Sequence, residues 1–263
     1  MLPICLHRRE KIATFLLACP DIHIYELGDL DDFFWKYTSW YACECNEEIQ
    51  NLALIYTGTD LPILLSNNTN PGQKEFLKQL LPILPRRFYA HLTPGLEEAF
   101  TGHYSLVSHG QHLKMILTHS DRLLEMDPSV QQLQISDLPA LSALYAVAYP
   151  ENWFDPRMLE TGQYYGIWQG NCLISVAGIH VYSPHYRVAA LGNITTHPQC
   201  RGMGLGTLVT SYLCQSLRNS VDRIGLNVHA ENSPAIACYR KLGFEPVAPY
   251  VEWMAEAIPG VLP

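Results

Sequence analysis

The feature that most constrains this chain is a run of three glycines at alternate positions, Gly202, Gly204 and Gly206, behind Arg201 in "TTHPQCRGMGLGTLVTSYLCQSL". A β-like stretch, "VAALGNITT", ends just before it, and a long apolar-faced segment follows. Each glycine weakens a helix by about 1 kcal/mol relative to alanine, so this junction carries a cost that an ordinary loop avoids. A glycine-rich turn from strand to helix presents free backbone N–H groups at the positive end of the helix dipole, which is a socket for a phosphate. Gly204 and Gly206 let an anion approach the backbone, and Arg201 adds a permanent charge. Taken alone, tight helix–sheet packing explains the same glycines. Two other phosphate loops are excluded, because the chain has neither G-x-G-x-x-G with an acid further on nor Gly-Lys-Ser/Thr.

A second motif follows, from Asn232 to Phe244, "NSPAIACYRKLGF". The pattern R-x-x-G-x-G opening a helix, then N-x-x-A-x-x-x-Y-x-x-x-G-F after a strand, resembles the GNAT superfamily of acyl-CoA-dependent N-acetyltransferases. The resemblance covers roughly Val130 to Ala255. It implies an α/β (α+β) fold with a mixed, mostly antiparallel, twisted sheet flanked by helices, and acetyl-CoA as acyl donor with no metal. It implies that Arg201, Gly202, Met203, Gly204, Leu205, Gly206 and Thr207 wrap the coenzyme A pyrophosphate with main-chain amides. Ile194 and Thr196 would pair their backbone with the pantetheine amides, where their strand splays from the strand after the helix. Asn232 and Ala235 would line the same cleft. Tyr239 would aim its hydroxyl at the sulfur as the catalytic acid, since a phenol with pKa near ~10 stays protonated at neutral pH. Outside the motif, a tyrosine there reads as a helix-packing aromatic.

Many members of that superfamily carry a glutamate base on the strand before the pyrophosphate loop, where this chain has Asn193. That departure leaves a water-mediated relay through His180, His229 or Glu151, or uptake of an already neutral amine. The loop "YPENWFDP" supplies a candidate acceptor pocket, with Trp153 and Phe154 as an aromatic wall and Glu151 and Asp155 as carboxylates suited to a cationic amine. Burial beneath the loop accounts for the two aromatics as well. The reaction implied is transfer of an acetyl group from acetyl-CoA to a primary amine of a small molecule, by direct attack in a ternary complex. A non-catalytic acyl-CoA-binding or sensing module is the alternative that Asn193 leaves open.

The remaining sequence bounds these readings. Asp127-Pro128 is a turn signal after which the pattern restarts, so two domains are expected, 1–126 and 127–263. In the first, a helix is expected in "RREKIATFLLAC", strands in "HIYEL", "WYACE", "LALIYTG", "PILLSN" and "RFYAHL", and helices in "GQKEFLKQLLPIL" and "GLEEAF". This alternation without a pyrophosphate loop suggests a degenerate copy of the second half, with cleft covering or homodimerisation as the roles open to it. "DDFFWKYTSWY" is aromatic enough for either. In the second half, "YYGIWQG", "CLISVAGIHVYS" and "VAALGNITT" read as an antiparallel meander. His109, His112 and His119 read as a polar loop, and Cys43-Glu44-Cys45 lacks a second cysteine pair at zinc spacing. A net charge of −8 without a Lys/Arg-dense run argues against nucleic-acid or membrane partners. No apolar run approaches the ~20 residues of a membrane span, and the N-terminus reads as a folded helix, so a cytoplasmic location is expected.

Overall fold

The computed structural model describes residues 2–68 and 70–261. The chain divides into two compact units: residues up to Lys114 with His229–Glu231 and the stretch from Val247 onward, and Met115–Val228 with Asn232–Pro246. In the first unit β1 (Ile4–Cys5), β2 (Thr38–Cys45), β3 (Glu48–Tyr56) and β4 (Ile63–Ser66) pair in turn, each antiparallel to the next. Three short helices, α1 (Arg9–Leu16), α2 (Ile24–Gly28) and α3 (Asp32–Trp35), lie between β1 and β2 in the chain. Helix α4 (Gln73–Leu80) then crosses over to β5 (Arg87–Leu92), which is parallel to β4, as a parallel neighbour requires. Phe76, Leu77 and Leu80 of α4 bury with Ala53, Ile55, Leu64, Phe88 and Ala90 in one cluster. Each Leu, Ile or Phe among them is worth about 1.5–3 kcal/mol when fully buried. β6 (Tyr104–Leu117) follows.

The second unit repeats that order. β7 (Val130–Gln132), β8 (Tyr165–Gln169), β9 (Cys172–Ser183) and β10 (Val188–Thr196) are successive antiparallel neighbours. Helix α6 (Leu205–Leu217) crosses over to β11 (Arg223–His229), parallel to β10. Helix α5 (Leu138–Ala148) lies between β7 and β8 in the chain, and α7 (Ser233–Lys241) precedes the last strand, β12 (Phe244–Ala257). Val209, Leu213 and Leu217 of α6 are fully buried, four residues apart on one face. Among the described residues no helix is long and apolar enough to cross a membrane.

Three expectations change. "HIYEL" is helix α2 rather than a strand, because Ile24 and Leu27, three apart, are both buried; over five residues alternation and helical spacing cannot be told apart. His109 and His112 lie on the long strand β6, not in a polar loop. Its polar residues hid the strand, yet its backbone is engaged, with Gln111 O accepting from Ala230 N at 2.8 Å. The units also divide differently from 1–126 and 127–263. Residues 115–126 group with the second unit, where Gly243 O accepts from Thr118 N and His119 N. The end of β12 groups with the first, its Val251–Glu256 running antiparallel to Leu92–Arg87 of β5. The aromatic segment "DDFFWKYTSWY" is partly core, with Phe34 and Trp40 fully buried.

Candidate active site

The glycine turn is built as its sequence demands. After β10, His197 caps a 3-10 turn, Pro198–Cys200, its Nδ1 accepting from Gln199 N at 3.4 Å. Gly202 and Gly204 then take left-handed φ values of 78° and 79°, which glycine adopts without strain. Gly204 is the N-cap of α6 and offers no side chain, so the first-turn amides of Leu205, Gly206 and Thr207 have no side-chain cap. A Cβ built on Gly202 or Gly204 meets nothing within 4 Å, whereas on Gly206 it would lie 3.4 Å from Thr196 Oγ1. The space before the helix start is therefore open, which suits a pyrophosphate. Met203 is exposed. Arg201 is turned to two backbone carbonyls, Thr196 O and Ala148 O, both at 3.2 Å, and so ties the end of β10 to the end of α5.

The strands beside this turn diverge. β10 and β11 pair from Val188↔Arg223 to Leu191↔Leu226, after which β10 runs on to Thr196 without that neighbour. Ile194 and Thr196 stand on this stretch, which β11 leaves open on one side, half-buried, with Thr196 Oγ1 2.8 Å from Ser175 Oγ. The stretch also holds a bulge. Gly192 faces Gly178 and Thr195 faces Val176, so Asn193 and Ile194 oppose one residue, Ala177. Asn193 takes φ 55° and is buried.

On α7, Asn232 is the N-cap, and its side-chain oxygen accepts from Ala235 N at 3.2 Å. The N-x-x-A spacing is thus a helix cap in this structure. Tyr239 is buried, its ring against Phe244, and among the described residues its hydroxyl has no hydrogen-bond partner. Burial, with smaller contributions from Cys238, Tyr149 and Cys214, pushes its pKa well up, so the phenol is protonated across the physiological range. Thr207 Oγ1, in the first turn of α6, lies 3.2 Å from Cys238 Sγ, which places the residue before Tyr239 against the start of α6.

The expected acceptor loop is more structural than its composition suggests. Asp155 caps the 3-10 turn Pro156–Thr161, accepting from Arg157 N at 2.9 Å and Arg157 Nε at 2.8 Å. Phe154 packs against the rings of Tyr145 and Tyr164. Trp153 is half-buried and Glu151 exposed. Of the two histidines considered for a relay, His180 lies over Gly192, where a Cβ would overlap its ring. His229 meets His112 edge to face within the first unit. Sequence reasoning missed Tyr145 and Tyr164, both of which hydrogen-bond Asn193. Nothing local marked them, since they lie 48 and 29 residues away in the chain.

An uncapped, glycine-led helix start thus stands beside a splayed, bulged strand. Residues 128–244 match the profile of the acetyltransferase (GNAT) family, and this part of the chain is a GNAT acetyltransferase domain. Mycothiol acetyltransferase of Mycolicibacterium smegmatis is 36% identical over 108 residues, which cover 36% of this chain and 32% of that protein, about a third of its length. A Drosophila protein of known structure aligns over 98% of this chain and 99% of its own, with a TM-score of 0.73 and 13% identity. A tandem GNAT protein from the clavulanic acid biosynthesis pathway aligns over 98% and 99%, with a TM-score of 0.58 and 16% identity. At such identities the two structures establish the fold.

Proposed function

We propose that the chain is an acyl-CoA-dependent N-acyltransferase that moves an acetyl group from acetyl-CoA to the primary amine of a small molecule, by direct attack in a ternary complex. The observation that carries this is the pairing of an uncapped, glycine-led α6 with the gap between β10 and β11. The first-turn amides of Leu205, Gly206 and Thr207 hold the pyrophosphate, and the free backbone edge at Ile194 and Thr196 holds the pantetheine arm. Arg201 is then the charge beside the anion, released from one of its two carbonyls. The amine nitrogen forms a bond to the thioester carbon, the C–S bond breaks, and the nitrogen loses its proton to water. The departing sulfur takes a proton from Tyr239, which recovers one from solvent. Positioning supplies most of the rate, and the acid a further 10²–10⁴-fold at most.

The first unit supports a single coenzyme site per chain. Its α4 is also led by a left-handed glycine, Gly72 at φ 85°, in the position that Gly204 holds for α6. There, however, Asn51 Nδ2 donates to Pro71 O at 3.3 Å, Asn70 Nδ2 to Gln50 O at 2.7 Å, and Gln73 Nε2 to Leu52 O and Ser66 Oγ. These bonds fasten the turn onto the sheet. β4 also pairs with β5 along its full length, from Ile63↔Tyr89 to Ser66↔Leu92, leaving no gap. This is a copy of the fold with its socket closed. The test is thiol release from acetyl-CoA across a panel of small primary amines, with product mass confirming N-acetylation. Tight coenzyme binding without turnover on any amine would replace the enzyme by a sensor.

A further inference from the structure

We infer that the side-chain amide of Asn193 seats the amino group of the acceptor, its Oδ1 accepting an N–H from the incoming amine while taking no proton itself. The inference rests on the N-acyltransferase reading above and adds to it a residue for the acceptor. Asn193 stands in the β10 bulge at φ 55°, a conformation that few residues other than glycine and asparagine bear easily. Its backbone is fixed there by the Tyr145 hydroxyl, which donates to Asn193 O at 2.9 Å.

The side chain is oriented by a second tyrosine. The Tyr164 hydroxyl has one proton, and the strong acceptor within its reach is Ile179 O at 3.0 Å; Met158 Sδ at 3.4 Å is a weak one. The Tyr164 oxygen must then accept, and the Asn193 Nδ2 group, 3.1 Å away, is the donor. That assignment turns Oδ1 to the other side. There it is buried and, among the described residues, has no hydrogen-bond partner. Native folds rarely leave such an acceptor unmet; it is one of eight such buried polar atoms among the described residues, and it stands on the strand that carries the free edge. The donor that the reaction brings is an amine N–H. Asn193 is two residues beyond Leu191, the last residue of β10 paired to β11, and adjacent to Ile194. Phe154 stands against both tyrosines that hold it, at ring distances of 5.2 and 5.5 Å.

An amide does not titrate. Burial raises the pKa values of Tyr145 and Tyr164, Met158 is uncharged, and Asp155, which acts on Tyr164, is bound by Arg157. His180, from β9 over Gly192, is the titratable group that remains. The wild-type profile therefore has no carboxylate limb from this position. Two variants test the idea with acetyl-CoA and the fastest amine of the screen. Asn193→Gly removes the side chain while glycine keeps φ 55° and the Tyr145 bond. It should leave acetyl-CoA affinity within twofold and lower kcat/KM for the amine about thirtyfold. Asn193→Asp preserves size and should add an acid limb to the kcat/KM profile that the wild type lacks, which a purely structural role would not do. Wild-type kcat/KM in Asn193→Gly, or superimposable profiles for wild type and Asn193→Asp, overturns the inference. Should Asn193→Gly not fold, the Asn193→Asp profile decides alone. Loss of acetyl-CoA binding or of all turnover in the wild type would instead remove the enzyme reading.

Discussion

Alanine at Gly204 and at Gly72 separates the cost of a left-handed backbone from the loss of a ligand. Both glycines lead a crossover helix, with φ values of 79° and 85°. A non-glycine residue in this conformation costs about 1–2 kcal/mol. No clash adds to that at either place: a Cβ at Gly204 meets nothing within 4 Å, and at Gly72 it lies 3.6 Å from Asn51 Oδ1, an ordinary contact. Gly204→Ala and Gly72→Ala should therefore lose similar stability, a drop of a few degrees in Tm for a chain of this size. Their ligand behaviour should diverge. The new methyl at position 204 enters the open space before α6, and weakening acetyl-CoA binding by about 1.4 kcal/mol is tenfold in Kd. Calorimetric titration of both variants, beside their melting curves, gives the comparison. Equal stability loss with wild-type affinity in Gly204→Ala would show that this glycine serves the turn alone and refute the socket.

Other consequences can be checked directly. Tyr239→Phe should bind acetyl-CoA within about twofold of wild type but lose roughly 10²–10⁴-fold in kcat, since the buried phenol supplies only the leaving-group proton; steady-state and titration data separate the two. Asn232→Ala should lower stability by about 1 kcal/mol by removing the α7 cap, and Asn232→Asp should restore most of it in thermal melts. In the first unit, burial would raise the Glu26 carboxyl, but Lys114, His23 and Asn67 outweigh it and hold its pKa down to about 2. A depressed carboxylate contributes stability above its unfolded pKa of about 4.5 and loses it as pH falls towards 2. Denaturant unfolding across that window should show an acid limb that Glu26→Gln flattens. Asp29, raised by burial and by Glu26, acts in the opposite sense: its contribution is full below 3.8 and is lost as pH rises from there through its raised folded pKa.

What could be read from the sequence was what is local. The turn from Arg201 to Gly206 and the segment from Asn232 to Gly243 each encode their backbone within a few residues, through glycine, a capping asparagine and helical spacing. The meander from Tyr165 to Thr196 was legible because alternation and turn residues agree. Asn193 was legible as a missing carboxylate but not as a bulge held by two tyrosines, because those bonds join β10 to α5 and to the residue before β8. The repeat of the second unit's topology in the first is carried by strand order and a left-handed glycine, with different side chains at each place. Pairing of β12 with β5 joins Val251 to Leu92, a separation that no periodicity records.

The most direct test of the account is calorimetric titration of the wild-type chain with acetyl-CoA. One equivalent per chain should bind, abolished by Gly204→Glu in a protein that still melts cooperatively, and saturation at a hundred times Kd should raise stability by about 2.7 kcal/mol. No binding to the folded wild type, or two equivalents per chain, would contradict it.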